Sequence, residues 1–302
     1  MPTKRSWPGT TPTAVDVQEA FLRGARLAFG LALAASATVA DAADSSLKPA
    51  LTFYASFDSG TDADLAKGDK RLFTLVDKQP KPGNHTDGMT RLAKGKGLSG
   101  GALLFTRRKA KWLLYDGVKN FQFAKKDWSG TVSFWLKVDP VNDLDPGYVD
   151  PIQITPNTWN DASFFVDFNK DGNPRDFRLG AFADKPVWNP GNKNIPEPER
   201  PLVPAKSTPF NRNKWTHVAF TWERFNTGKK DGVATLYLNG KKEGSITGWN
   251  QQFSWSGKPH RILIGLNYMG LFDELACFNR ALTAREIKRI PDHQADLATL
   301  LK

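Results

Sequence analysis

Three stretches near the C-terminus constrain the fold most: W-T-H-V-A-F-T-W at residues 215–222, L-Y-L-N-G at 236–240 and F-D-E-L-A-C-F-N-R-A-L at 272–282. In each, apolar side chains recur with a period of two, which is the signature of a strand with two unlike faces. Asn-Gly, Gly-Lys and Gly-Leu pairs separate them, and such pairs make the tight turns of antiparallel hairpins. The chain is therefore read as antiparallel and all-β. Earlier segments extend the pattern: L-T-F-Y-A-S-F-D (51–58), A-L-L-F (102–105), K-W-L-L-Y (111–115) and T-V-S-F-W-L-K-V (131–138). F-F-V-D-F (164–168) and F-R-L-G-A-F (177–182) flank N-K-D-G-N, which reads as a hairpin. Residues 59–96 are polar and weakly periodic. T-A-R-E-I-K-R-I (283–290) has a threonine followed three residues later by glutamate, the spacing of a capping box, and predicts a short helix ended by Pro291.

The start of the chain reads differently. Residues 27–40 form an apolar run of 14, preceded by Arg23 and Arg26 and followed by Ala-Asp-Ala. A basic flank, a short apolar core and small residues at its end spell a secretory signal peptide, and the run is shorter than the roughly 20 residues a membrane span needs. The expected division is a signal peptide over 1–42, a linker over 43–50, one domain over 51–290 and a tail over 291–302. Setting the leader aside leaves 38 basic against 28 acidic residues, a net charge of +10 against +11 for the whole chain. A single cysteine, Cys277, excludes an intramolecular disulfide despite the export signal, so stability must come from packing or a metal. Its apolar neighbours mark it as a buried, inert thiol.

Two long proline-containing segments, 139–161 and 184–207, are read as loops that interrupt the sheets. They carry Tyr148, Trp159 and Trp188, large aromatics in polar surroundings and hence candidate ligand-binding residues. G-K-G-L-S-G-G at 95–101 contains both G-x-G-x-x-G and G-x-S-x-G, yet a strand follows where a dinucleotide loop or nucleophile elbow needs a helix. It reads as a glycine turn. Asp167, Asn169 and Asp171 occupy the first ligand positions of a calcium-loop pattern, but Arg178 stands where the closing glutamate belongs, so a hairpin is favoured. His85, His217, His260 and His293 show no zinc spacing. Basic clusters at 107–111, 125–126, 229–230 and 241–242 sit beside turns and would attract an acidic polysaccharide if they shared a face.

With these residues in view, the chain resembles the laminin-G-like, pentraxin-like branch of the concanavalin A-like lectin/glucanase superfamily over roughly residues 51–290. Four motifs carry the likeness: the opening strand closing on Phe57-Asp58, T-V-S-F-W-L-K from Thr131, W-T-H-V-A with L-Y-L-N-G downstream, and D-E-L-A-C-F-N-R-A-L-T-A-R-E-I from Asp273. The resemblance implies a jelly-roll sandwich of two curved antiparallel sheets with a short C-terminal helix. It also implies a structural histidine at His217. Relatives of this fold often hold a structural calcium between the chain ends, which implicates Asp58 and Asp273. The other reading is that Asp58 caps a turn and Asp273 pairs with a basic neighbour.

Resemblance to the glucanases would imply carboxylates on alternate residues of one strand, and that arrangement is absent. The six glutamates after residue 42 are Glu197, Glu199, Glu223, Glu243, Glu274 and Glu286, and none has the partners it needs on its own strand. The expected function is a secreted, non-catalytic recognition module, extracellular or periplasmic, that binds a glycan or polysaccharide, acidic ones included. A protein-binding adhesive domain is the alternative, followed by a hydrolase with dispersed carboxylates. Trp249 and Trp255 are either further stacking residues or core. Neither nucleic acid nor a membrane is an expected partner.

Overall fold

The computed structural model describes residues 47–108, 111–205 and 208–292, so the expected signal peptide and all but the first two residues of the expected tail lie outside the described residues. Seventeen strands alternate between two antiparallel sheets, as the alternating sequence pattern requires. The first seven are short: β1 (Leu51–Ala55), β2 (Leu65–Ala66), β3 (Phe73–Val76), β4 (Gln79–Pro82), β5 (Thr90–Ala93), β6 (Ala102–Phe105) and β7 (Leu113–Asp116). The middle of the chain forms β8 (Trp128–Lys137), β9 (Val149–Thr155), β10 (Ser163–Phe168), β11 (Phe177–Phe182) and β12 (Leu202–Ala205), with a single helical turn α1 (Lys185–Trp188) after β11. Then come β13 (Thr216–Phe225), β14 (Val233–Leu238), β15 (Lys241–Ile246), β16 (Arg261–Leu266), β17 (Gly270–Phe278) and the closing helix α2 (Ala284–Asp292).

One sheet runs β15-β14-β13-β8-β17-β1-β2, with β6 also on β17 and β5 on β6. The other runs β12-β11-β10-β9-β16-β7-β3-β4. Two of these strands correct the reading of the proline-containing segments as loops: β9 lies inside 139–161, and β12 lies inside 184–207. β3, β4 and β5 likewise fall within the weakly periodic 59–96.

Aromatic side chains fill the space between the sheets. Phe164 from β10 stacks on Phe220 and lies 4.9 Å from the Trp222 ring, both on β13 of the opposite sheet. Trp128, Phe121, Trp255 and Phe253 complete a cluster of edge-to-face and stacked pairs. Each such side chain contributes about 1.5–3 kcal/mol by leaving water, before the geometry of the ring pairs is added. Trp255 is buried and donates its Nε1–H to the Ala162 carbonyl, and Trp249 packs against the same core, so both belong to the fold.

A second apolar cluster covers the outer face of the β8–β13–β17 sheet. Trp135, Ala219, Tyr237 and Ala276 are packed beneath Leu282, Ile287 and Ile290 of the C-terminal segment and beside Leu47 and Ala50. Leu47 and Ala50, placed by sequence at the end of a linker, are therefore part of the packed domain. The capping box is formed: Thr283 Oγ1 accepts from Glu286 N at 3.2 Å, and Glu286 Oε2 accepts from Thr283 N at 2.8 Å. α2 runs on to Asp292 rather than stopping before Pro291, since a proline in the last turn forfeits only one backbone hydrogen bond.

Candidate functional site

The outer face of the second sheet is left open and carries a groove of about 530 Å³. Its floor follows from strand alternation. On β10, Phe164, Val166 and Phe168 turn inward to the core, so Phe165 and Asp167 face the groove. On β11, Arg178 faces the groove between the inward Phe177 and Leu179. Gly180 leaves room for Phe165, whose ring would meet a Cβ there at 2.3 Å. β9 supplies Asp150 and Gln153, and β16 supplies Leu263 and Leu266.

A β-bulge sets the polar centre. Val166 pairs with Ile152 and Phe168 with Val149, so Asp150 and Pro151 together oppose Asp167 alone. Proline cannot donate to a ladder, and the extra residue at Pro151 turns Asp150 to the same side as Asp167. Asp167 faces Arg178 directly across the β10–β11 pair. Arg178 Nε donates to Asp167 Oδ1 at 2.8 Å, Nη2 donates to Oδ2, and Nη1 reaches Glu197 Oε1 at 2.7 Å. The N-K-D-G-N segment is thus a hairpin, and its first aspartate serves an ion pair.

Burial pushes the Asp150 carboxyl well above the usual range, with the Asp167 charge adding to the effect and Arg178 opposing it. Burial also works against the Arg178 charge, but its bonds to Asp167 and Glu197 outweigh that and hold it cationic. Among the described residues no hydrogen bond or ion pair reaches the Asp150 carboxylate.

Aromatic rings stand around this floor. Tyr148 is 41% exposed, with Arg178 over one face of its ring at 5.0 Å from the centre. Trp159 is 44% exposed and is propped edge-on against Phe165 and Phe182. Trp112, also 44% exposed, lines the same groove as Leu263 and Leu266. Asn157, Thr158 and Asn267 add hydrogen-bonding groups.

Of the aromatics singled out from the sequence, Tyr148 and Trp159 line the groove and Trp188 does not. Trp188 is 7% exposed, packs edge-on against Phe182 at 4.9 Å and donates its Nε1–H to the Asn160 carbonyl. α1 folds its ring inward, so polar neighbours in sequence are no guide to its surroundings. Trp112, Asp150, Gln153, Asp167 and Arg178 are site residues that the sequence reading misses. Alternation about the inward Ile152 and Ile154 is the available signal for Gln153. Among the described residues, none from the basic clusters lines the groove.

Asp58 and Asp273 meet at the glycine turn between β5 and β6. Asp273 is fully buried, and its Oδ2 accepts from Leu98 N at 2.7 Å while Oδ1 accepts from Glu274 N at 3.1 Å. Asp58 Oδ1 accepts from Gly101 N at 3.1 Å, and its Cβ, Cγ and Oδ1 crowd Gly100, which adopts a positive φ. Burial drives the Asp273 carboxyl up to about 9, with the charges of Glu274 and Asp58 adding to the effect of burial. The partners of Asp273 are backbone amides, so the expected pairing with a basic neighbour is not how this carboxylate is satisfied.

His217 is fully buried, bonded through Nε2 to Ser133 Oγ at 2.8 Å beside Trp135. Burial lowers it to about 3, which keeps the ring neutral and fits a structural residue. Cys277 is buried, and its thiol is pushed up by desolvation, far from any nucleophilic range.

Residues 116–288, more than half of the chain, match a laminin G family of the concanavalin A-like lectin/glucanases superfamily. The protein belongs to that superfamily. Two solved structures are similar in fold. Domain 4 of AbnA, a GH43 extracellular arabinanase from Geobacillus stearothermophilus in complex with arabinotriose, shares 18% identity at a TM-score of 0.50, over 80% of this chain and 98% of that one. The binding domain of Paraclostridial Mosquitocidal Protein 1 shares 16% identity at a TM-score of 0.53, over 82% of this chain and 53% of that one. At such identities the likeness is one of fold. No curated protein matches the sequence. No helix among the described residues is long and apolar enough to cross a membrane.

Proposed function

We propose that the protein is an exported, non-catalytic recognition module that binds a glycan in the groove across β9, β10 and β11. The observation that carries this reading is the gathering of exposed Trp112, Tyr148 and Trp159 around a floor of carboxylates, a guanidinium and amides in one groove. Sugar rings present flat apolar faces that stack on aromatic side chains, and their hydroxyls take up directed hydrogen bonds from such a floor. Binding of a glycan by the arabinanase domain of similar fold supports the same class of ligand.

The three groove carboxylates make a hydrolase the reading to exclude. Glycoside hydrolysis needs one carboxyl that donates a proton and a second that is free to act as base or nucleophile. Asp150 has the raised affinity for a proton, but Asp167 and Glu197 are both engaged by Arg178. Binding of the chain from Ala43 to a panel of neutral and charged polysaccharides, with released reducing sugar read in the same wells, tests both statements. Binding lost on Trp159→Ala without sugar release is the expected result, and sugar release overturns the non-catalytic assignment. No binding across the panel moves the groove to a protein partner.

Asp58 and Asp273 would hold one structural calcium ion, with backbone carbonyls of the glycine turn completing its shell. The buried Asp273 carboxylate, held by amides and facing other carboxylates, fits a hard cation. Among the described residues no three His, Cys, Asp or Glu side chains gather to hold a metal by themselves, which is why carbonyls are required. Calcium would supply positive charge that fastens β17 to the turn. A melting temperature that rises with added calcium in the wild type and not in Asp273→Asn is expected.

A further inference from the structure

We propose that the glycan accepted by the groove carries free amines, one of which sits as an ammonium group against Asp150 while the sugar ring lies on the neighbouring aromatic side chains. This rests on the glycan reading above and names the chemical class of its ligand.

The argument starts from the division of charge inside the groove. Arg178 spends Nε and Nη2 on Asp167 and Nη1 on Glu197, so one guanidinium answers two carboxylates. Arg200 is the other cation on the lining, and its Nε is taken by the Ile195 carbonyl. With Asp150, the described residues of the lining hold three carboxyl groups against two guanidinium groups. That surplus of one carboxyl stands in a chain whose net charge is +11. The bulge at Pro151 fixes Asp150 beside Asp167, so burial and the neighbouring carboxylate both oppose its ionisation, and a cation placed against it would favour the ionised form.

A uronic or sulfated sugar would place a like charge on this floor. A neutral sugar hydroxyl would bond the Asp150 carboxyl but do nothing to favour its ionised form. An ammonium group does both, and Tyr148 and Trp112 line the same groove, where aromatic faces favour a cation over an anion. The overall positive charge repels a cationic polymer at long range, so binding of one would report the groove and not the general field. A lysine side chain presents the same ammonium, but three exposed rings around one floor suit flat sugar faces better than a flexible chain.

The test is calorimetric binding of glucosamine hexamer, N-acetylglucosamine hexamer, a galacturonic acid hexamer and oligolysine to the wild type, Asp150→Asn and Trp159→Ala, each checked for an unchanged melting curve. The expected result is a preference of about tenfold or more for the free amine over its acetylated counterpart. Asp150→Asn should bring that ratio to about one, and Trp159→Ala should weaken both sugars alike. Equal binding of both hexamers by the wild type, with loss in Trp159→Ala, overturns the amine assignment and leaves the glycan reading standing. Binding of oligolysine alone, with the same dependence on Asp150, overturns both in favour of a peptide. Should Asp150→Asn fail to fold, wild-type affinity for glucosamine hexamer that does not fall once pH has risen beyond the titrations of both the amine and Asp150 overturns the proposal instead.

Discussion

The outer faces of the two sheets have opposite fates. On the β8–β13–β17 sheet, α2 and the Leu47 turn cover Trp135, Ala219 and Tyr237, and the histidine caught beneath them is held neutral. On the β9–β10–β11 sheet, among the described residues, only Tyr148, Trp159 and the Glu197 segment stand over part of the face, and between them a groove stays open with polar side chains on its floor and exposed rings at its rim. A sandwich needs only its inner faces for stability, so each outer face is available either for covering or for binding. Here the apolar outer face is closed and the polar, aromatic one is left open.

The strongest way to break this contrast is Arg178→Ala. It leaves Asp167, whose side chain is 4% exposed, without its counterion beside Asp150. Removing one partner of a buried pair costs about 3–5 kcal/mol, so chemical denaturation should show a large loss of stability together with loss of binding. Trp159→Ala is expected to separate the two properties. Its ring is 44% exposed, so the melting temperature should hardly move while glycan affinity falls about tenfold, by calorimetry. Unchanged affinity in Trp159→Ala would detach the groove from binding.

The same contrast governs how much of the molecule is legible in its sequence. The strands of the covered sheet announce themselves, because T-V-S-F-W-L-K, W-T-H-V-A-F-T-W and F-D-E-L-A-C-F keep strong apolar content through their central residues. β9 is hidden for a physical reason. Pro151 lies within it, and the bulge breaks the period of two between Val149 and Ile152, so V-D-P-I-Q-I-T reads as one more piece of a proline loop. Asp150 and Gln153 vanish from the groove floor with that strand. Tyr148 and Trp159 can be singled out because they flank it, whereas the inward turn of Trp188 depends on how α1 packs on Phe182. Asp167 is visible only as a position in a calcium-loop pattern. Its pairing with Arg178 needs the register of β10 on β11, and its nearness to Asp150 needs the bulge.

Acid should strain the covered face through His217. Its folded pKa of about 3 lies below the value near 6.5 of an exposed imidazole, so the unfolded chain binds the proton first. The stabilising contribution is complete above about pH 6.5 and is lost as pH falls towards 3, at up to about 1.4 kcal/mol per pH unit. Denaturant titrations of the wild type and His217→Gln between pH 6 and 4 should differ in slope by about one proton. Equal slopes would mean that the cover admits water to the ring.

The smallest effect concerns the cover's own anchorage. Thr283 and Glu286 satisfy each other's backbone amides at the start of α2, and Glu286 also holds Arg280 through two charged hydrogen bonds. Thr283→Ala removes one side of the box and should lower stability by about 1 kcal/mol. Because Ile287 and Ile290 are what α2 lays over the sheet, hydrogen exchange should quicken first at amides of α2 and beneath it on β13. The groove strands lie in the other sheet and receive nothing from that cap. Their exchange and the affinity for glycan should stay at wild-type values, and a parallel loss of binding would show that the two outer faces are coupled through the core.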